Sequence, residues 1–130
     1  MKRYLSRLLA LILVVTVGLA GCSGDQLSGN YRQDTLTLVN SLRETIELPQ
    51  DAPNRVSLQT EARQKINDFA SRYRRDDSVT KLSSFTTMRT ALNALAGHYS
   101  SYPNRPLPQK LRDRLQQELT QVETALNRGA

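Results

Sequence analysis

Residues 108–127 read PQKLRDRLQQELTQVETALN, and the spacing of the apolar residues in this stretch decides the fold. Successive residues of an α-helix are turned by about 100°, so apolar residues repeated every three or four positions lie on one face. Pro108 is tolerated at a helix start, and Gly129 follows the pattern as glycine follows many helix ends. The stretch predicts an amphipathic helix with a buried face of Leu111, Leu115, Leu119, Val122, Ala125 and Leu126.

Three stretches that precede it repeat this periodicity. They predict helices over about 30–47, over about 53–75, and from a start between Ser78 and Ser84 to about residue 99. Asn30 and Gln33 have the spacing of a capping box, and the carboxylate of Asp34 favours the positive end of the helix dipole. The joints between the helices contain proline, glycine or serine.

The four predicted helices are joined by short connections, and no segment shows the strict alternation of a half-buried strand. Such helices pack most simply as neighbours that run in opposite directions. We therefore predict an all-α fold, an antiparallel up-down-up-down four-helix bundle over residues 30–127. Glu118 interrupts the apolar face of the last helix, so we expect it to reach water or an arginine of a neighbouring helix; the alternative is a polar contact for a partner.

The N-terminus has the layout of a secretory signal peptide. Lys2, Arg3 and Arg7 precede a run of almost wholly apolar residues, 8–20. A membrane-spanning helix needs roughly 20 apolar residues, and this run of about 13 is too short. Residues 1–21 are therefore predicted to direct export and to be removed.

Cys22, the one cysteine of the chain, ends the sequence Leu19-Ala20-Gly21-Cys22. This order resembles the bacterial lipobox, in which the cysteine is acylated and becomes the first residue of the mature protein. We predict covalent lipid on Cys22, with acyl chains such as palmitate, and a lipidated flexible tether over residues 22–29. The alternative is an ordinary thiol beyond a plain signal-peptidase site. No other cofactor is expected.

Removal of the signal peptide changes the charge. The whole chain has 18 basic and 12 acidic residues, and without Lys2, Arg3 and Arg7 the balance becomes 15 to 12, or +3. This charge is modest for a nucleic-acid-binding protein, and an exported protein does not meet the genome. Nucleic acid is therefore not an expected partner.

Side chains suited to catalysis or to tight metal binding are few. Acylation of Cys22 removes the thiol, and the one histidine, His98, lies near a helix end where its cation favours the dipole. We predict no catalytic residue and no metal site. Hard cations have two carboxylate pairs available, Glu44 with Glu47 and Asp76 with Asp77, which we interpret as solvated surface charges.

The remaining candidates are surfaces for a protein partner. Arginine and tyrosine are favoured at interfaces, and proline-stiffened loops lose little entropy on docking. The sequence Arg72-Tyr73-Arg74-Arg75 and the loops 48–55 and 100–108 have these properties. The predicted partner contacts are Arg55, Arg72, Arg74 and Arg75.

Several motifs of the mature chain occur in order and in register with a known family. They resemble cyanobacterial photosystem II assembly lipoproteins of the Psb twenty-seven family over about residues 27–126. The motifs are GNYRQDTL (29–36), LPQDAPNR (48–55), IND (66–68), SRYRR (71–75), SFTTM (84–88) and the stretch 91–106.

The resemblance implies a monomeric four-helix bundle without enzymatic activity, tethered to the lumenal side of the thylakoid membrane. It implies transient binding to assembling or recovering photosystem II, against the lumenal loop of the inner antenna subunit, in complexes that lack a mature oxygen-evolving cluster. Plant relatives carry a transit peptide, so the lipobox places this chain in the cyanobacterial branch.

Two other functions stay open at this point. The chain could be a manganese or calcium carrier that uses Glu44, Glu47, Asp76 and Asp77. It could also be a general envelope lipoprotein with a structural or lipid-binding role.

Overall fold

The computed structural model describes residues 27–103 and 105–130, and over them the chain is helical without strands. The predicted signal peptide, Cys22 and the first part of the predicted tether lie outside the described residues. The all-α prediction is confirmed. The helices are α1 (Tyr31–Ile46), α2 (Arg55–Tyr73), α3 (Asp77–Thr80), α4 (Ser83–Ser101) and α5 (Gln109–Asn127).

Side-chain hydrogen bonds show that α1 and α2 run antiparallel. Tyr73, at the end of α2, donates its hydroxyl to Asp34, near the start of α1. Farther along, Lys65 Nζ lies 3.1 Å from Ser41 Oγ. Contact positions therefore move backward along α2 as they move forward along α1.

The last helix closes the bundle against the first. Arg32 Nη1 donates to the backbone oxygen of Leu126 at 2.8 Å, near the end of α5. Gln116 Nε2 donates to Glu47 Oε1 at 3.0 Å, just beyond the other end of α1. With α2 packed on α4 and α4 on α5, the four long helices form a closed ring, which confirms the predicted bundle.

The ring encloses one apolar core to which every helix contributes. The side chains of Val39, Met88 and Val122 have no exposed surface, and the buried face of α5 is the predicted one apart from the half-buried Leu111. The short helix α3 adds Val79, which is 5% exposed. The other core residues are Leu38, Leu42, Ile46, Ala62, Ile66, Phe69, Tyr73, Phe85, Ala91, Leu92, Leu95, Tyr99, Leu107, Leu115, Leu119 and Leu126.

The boundaries of α2 differ from the prediction. It begins at Arg55, two residues after the predicted Pro53, because Ala52 first closes a turn in which its oxygen accepts from the Arg55 nitrogen at 3.1 Å. It ends at Tyr73, two residues early. The chain then turns, and the carboxylate of Asp76 caps α3, which the sequence did not predict as a separate helix.

We predict that Leu119→Ala lowers the free energy of unfolding by about 2–5 kcal/mol, because it leaves a cavity in the core. Leu119 is 1% exposed. The measurement is the urea midpoint of the purified protein. The control is Val56→Ala at a side chain that is 61% exposed, which should change the free energy by no more than about 0.5 kcal/mol. Equal effects of the two substitutions would contradict this packing.

Candidate functional site

One end of the bundle gathers the start of α1, the end of α2, the start of α4 and the end of α5. The hydroxyls of Tyr31 and Ser84 are 2.8 Å apart. The nitrogen of Ser84 lies 3.3 Å from the backbone oxygen of Ala130. Since the last residues of the predicted tether, 27–29, lead into α1 here, we call this the tether end; it comprises residues 27–34, 70–84 and 125–130.

The tether end is organised around the buried carboxylate of Asp34, which is 4% exposed. The backbone nitrogen and the hydroxyl of Ser28 both lie 2.7 Å from Asp34 Oδ1. The nitrogen of Gly29 lies 3.3 Å from Oδ2, and the Tyr73 hydroxyl donates to the same oxygen. This carboxylate therefore joins the residues before α1 to the last turn of α2.

These hydrogen bonds decide the ionisation of the pair. Burial raises the pKa of Asp34, but the donors from Ser28, Tyr73 and Gly29 outweigh it and hold the pKa below its ordinary value. Burial, together with the nearby charge of Asp34, raises the pKa of Tyr73 to about 12. Asp34 is thus a carboxylate at neutral pH, and Tyr73 is its hydrogen-bond donor.

Aromatic packing supports the same end. The ring of Tyr73 lies 5.1 Å from Phe69 and 5.3 Å from Tyr31, measured between centroids. The ring of Phe85 on α4 stacks on Phe69 at 6.4 Å. Three helices therefore hold the Tyr73 hydroxyl in position for Asp34.

The four arginines predicted as partner contacts fall into two separate sets. Arg55 opens α2 and Arg72 lies in its last turn, so about 25 Å of helix separates them. Arg74 and Arg75 follow Arg72 at the tether end, and all three are exposed, with Arg72 against Gly29. The structure therefore places only Arg55 beside a proline-rich loop.

The end opposite the tether holds the two proline-rich loops, which connect α1 to α2 and α4 to α5. We call it the distal end; it comprises residues 47–57, 98–103 and 105–113. Tyr102 is 48% exposed there, and the guanidinium carbon of Arg105 lies 5.5 Å from the centre of its ring. Behind them, Tyr99 is 2% exposed, and its hydroxyl has no hydrogen-bond partner among the described residues. Burial raises the pKa of this hydroxyl to about 12.

The two carboxylate pairs considered for cations lie at opposite ends. Glu44 and Glu47 are at the distal limit of α1, whereas Asp76 and Asp77 begin α3 at the tether end. The carboxylate of Asp76 accepts from the Ser78 nitrogen at 3.0 Å as a helix cap. The four cannot form one site, and within residues 27–103 and 105–130 no three His, Cys, Asp or Glu side chains cluster as metal ligands would.

The arginine that pairs with Glu118 is not on a neighbouring helix, so that part of the prediction is wrong. Arg114 Nε donates to Glu118 Oε1 at 2.9 Å, and Arg114 is one turn earlier on the same helix rather than on a neighbouring one. Residues four apart on a helix face each other, which explains the pairing. The side chain of Glu118 is 15% exposed, so little of it faces outward.

The one histidine, His98, contacts a loop and an aromatic ring. His98 Nε2 lies 3.4 Å from the backbone oxygen of Arg105, and the His98 ring is 5.4 Å from that of Tyr102. Its surroundings at the distal end are thus a loop and an aromatic ring.

The lipidation predicted at Cys22 lies outside the described residues. No helix of the described part combines the length and the apolar character needed to cross a bilayer.

Sequence reasoning missed the importance of Asp34, Tyr73 and Ser84 at the tether end. It assigned Asp34 to the helix dipole alone and Tyr73 to the apolar face. The sequence signal was the placement of Ser28 and Gly29 just before Asn30 and Asp34, since a serine and free backbone nitrogens at a helix start can satisfy a carboxylate.

The matching family model and two relatives of high identity all concern photosystem II proteins. The family model described as Photosystem II Pbs27 matches residues 14–126. The chain is 61% identical over 130 residues to "Photosystem II lipoprotein Psb27" of Synechocystis sp. (strain ATCC 27184 / PCC 6803 / Kazusa), with 99% of this chain and 97% of that protein covered. It is 58% identical over 132 residues to "Photosystem II assembly factor lipoprotein Psb27" of Thermosynechococcus vestitus, covering 100% and 98%.

A solved structure has the same fold. The structure described as "Solution Structure of Psb27 from cyanobacterial photosystem II" superposes with a TM-score of 0.77 at 58% identity. The match covers 82% of this chain and 92% of that one.

We predict that Tyr73→Phe raises the pKa of Asp34 and lowers the free energy of unfolding by about 1–3 kcal/mol, since a buried acceptor loses a donor. The pKa of an aspartate is about 3.9 in the unfolded chain. Because the pKa of Asp34 is lower in the folded protein, its carboxylate stabilises the fold at any pH above the unfolded pKa, and this stabilisation is lost as the pH falls through the folded pKa. The loss should therefore be largest at neutral pH and smaller in acid. The measurements are carboxyl titration by NMR and urea unfolding at several pH values.

Tyr31→Phe is the matched control, because its hydroxyl contacts Ser84 at the same end and not Asp34. An equal rise of the Asp34 pKa in both variants would contradict the assigned hydrogen bond.

Proposed function

Because this chain belongs to the Photosystem II Pbs27 family, we propose that it is a non-enzymatic factor of photosystem II assembly and repair. The observation that carries this proposal is the family match together with 61% identity to a photosystem II lipoprotein along almost the whole chain. A binding role also suits the molecule: the surface offers proline-rich loops and exposed arginines.

The N-terminal sequence pattern supports a membrane location. Lipid on Cys22 would hold the chain on the lumenal side of the thylakoid membrane, with residues 1–21 removed. Two relatives named as lipoproteins align along more than nine-tenths of their length, which supports this proposal. Two or more acyl chains anchor a protein stably, whereas one does so only marginally.

The client of the proposed function is photosystem II without a mature oxygen-evolving cluster, bound at the lumenal loop of its inner antenna subunit. The distal end has the features of a contact surface, since Arg55, Tyr102 and Arg105 lie there beside two proline-rich loops. Tyrosine and arginine are the residues that most often carry binding energy at interfaces.

The anchor gives this binding a physical rationale. A tethered domain meets a membrane-embedded client at a high effective concentration, so a weak contact suffices. Weak contacts dissociate readily, and release is what an assembly factor requires once the mature complex forms.

Affinity isolation of the tagged, lipidated protein tests the function. We expect enrichment of photosystem II that lacks its extrinsic subunits. Recovery with bulk membrane proteins and no such enrichment would instead support a general envelope lipoprotein.

We predict that Arg55→Glu lowers the affinity for this complex about tenfold, or about 1.4 kcal/mol, if its guanidinium meets a carboxylate of the client. Arg63→Glu controls for the charge change, because Arg63 is exposed at the middle of the same helix. Arg55 is half-buried, so urea unfolding of both variants separates a lost contact from a loss of stability. The measurement is retention on immobilised client at several concentrations. Equal weakening by both variants would argue against a contact at the distal end.

We predict that Cys22→Ala abolishes lipid attachment and leaves residues 1–21 uncleaved, because acylation of the cysteine precedes cleavage at this motif. The measurement is fractionation combined with the mass of the mature N-terminus. Ser23→Ala is the control, since it alters the neighbouring residue and leaves the thiol. If the Cys22→Ala protein is cleaved before residue 22 and still remains on washed membranes like the control, the lipid anchor is wrong.

A further inference from the structure

Positive charge is concentrated at the tether end. This end carries the basic residues Arg32, Arg72, Arg74, Arg75, Lys81 and Arg128 and the acidic residues Asp34, Asp76 and Asp77, an excess of three. The distal end carries the basic residues Arg55, Arg105, Lys110 and Arg112 and the acidic residues Glu47, Asp51 and Asp113, an excess of one. The asymmetry survives removal of the signal peptide, because none of these residues belongs to it.

The described ion pairs join no carboxylate of the tether end to its arginines. Asp34 is buried and accepts its hydrogen bonds from Ser28, Gly29 and Tyr73. Asp76 accepts from the nitrogen and the hydroxyl of Ser78, at 3.0 and 2.5 Å. Two of the three acidic groups are thus already satisfied within the fold.

Arg74 and Arg75 are exposed, and neither guanidinium forms an ion pair or hydrogen bond within the part of the chain that the structure describes. Both follow the last residue of α2, so no further helical turn covers them. Their charge therefore faces outward from the tether end.

The same end is the one that the tether joins. From Leu27 back to Cys22 a fully extended chain reaches at most about 18 Å. The distal end lies a helix length away, which for the 19 residues of α2 is about 28 Å. If lipid is attached at Cys22, the surface within reach of Arg74 and Arg75 is that of the bilayer.

We propose that the tether end binds the anionic headgroups of the membrane that anchors it, and that this contact holds the bundle upright with its distal end away from the bilayer. The inference rests on the lipid anchor of the proposed function. Each Lys or Arg near an anionic surface strengthens the attraction about fivefold. Anchoring does not require this contact, so its effect is on orientation, and it directs the distal loops toward a client that projects from the membrane.

Fluorescence energy transfer from the distal end to the bilayer tests the orientation. The mature lipidated protein carries Gln50→Cys, an exposed position at the distal end, and a donor dye is attached to the new thiol. Because lipid occupies the thiol of Cys22, the dye reacts at residue 50 alone. Vesicles contain an acceptor lipid and either neutral lipid alone or about one-third anionic lipid. We expect transfer on anionic vesicles to be less than half of that on neutral ones, because the dye is held away from the surface.

The deciding comparison is between two variants of equal charge change. On anionic vesicles, Arg74→Glu/Arg75→Glu should restore the high transfer seen on neutral vesicles. Arg105→Glu/Lys110→Glu, with the same change at the distal end, should leave the transfer low. Raising the salt to about 1 M, where the screening length falls to about 3 Å, should act on the unmodified protein as the first variant does.

Equal transfer on both vesicle types, or equal behaviour of the two double variants, would overturn the inference. So would a loss of photosystem II recovery by Arg74→Glu/Arg75→Glu without any change in transfer, because the arginines would then bind a protein. Retention on neutral vesicles reports the lipid anchor alone, and affinity isolation reports client binding. Failure of the proposed function is therefore distinguishable from failure of this inference.

Discussion

The buried carboxylate of Asp34 is the constraint on which the ends of this molecule depend. An ion buried in a protein interior is tolerated only when donors satisfy it. Here the donors come from Ser28 and Gly29, before the first helix, and from Tyr73, at the end of the second. The carboxylate thereby fixes where the tether leaves the bundle and sets it beside the arginines that follow Tyr73.

The bundle has two unlike ends. The tether, the basic cluster and the Asp34 hydrogen bonds occupy one, and both proline-rich loops occupy the other. In an antiparallel bundle of four long helices the chain crosses the bundle four times and ends where it started. The loop between α1 and α2 and the loop between α4 and α5 therefore both lie at the opposite end. In the proposed function, membrane attachment and client binding use different ends and do not compete for surface.

Much of the fold was predictable from the sequence. The helix α5 begins one residue after the predicted Pro108 and ends at the predicted Asn127, and the Asn30 side chain caps α1 by accepting from the Gln33 nitrogen at 3.1 Å. Only half of the capping box forms, however, because the Asn30 nitrogen donates to the Ser28 hydroxyl instead. The short helix α3 was missed, since four residues are too few to show a period, and it is held by Asp76 and the burial of Val79.

The candidate contacts were less predictable than the fold, because they depend on distance in three dimensions. Arg55 and Arg72 belong to one predicted helix, and the sequence ranks them together as interface residues. Helix α2 separates them by its length, so they serve different surfaces. Glu118 shows the same effect on a smaller scale. It was expected to reach water or an arginine across the helix interface, and its arginine partner lies one turn away on the same helix.

By itself, the sequence determined the helices, their buried faces, the family resemblance and the N-terminal pattern that predicts an anchor. Each of these depends on residues that lie close together in the sequence. Only the tertiary structure decided that Asp34 is buried rather than a simple charge on the helix dipole, and that the arginines divide between two ends. These depend on which residues distant in sequence meet, and the pairing of Asp34 with Tyr73 arises only when α1 and α2 pack together.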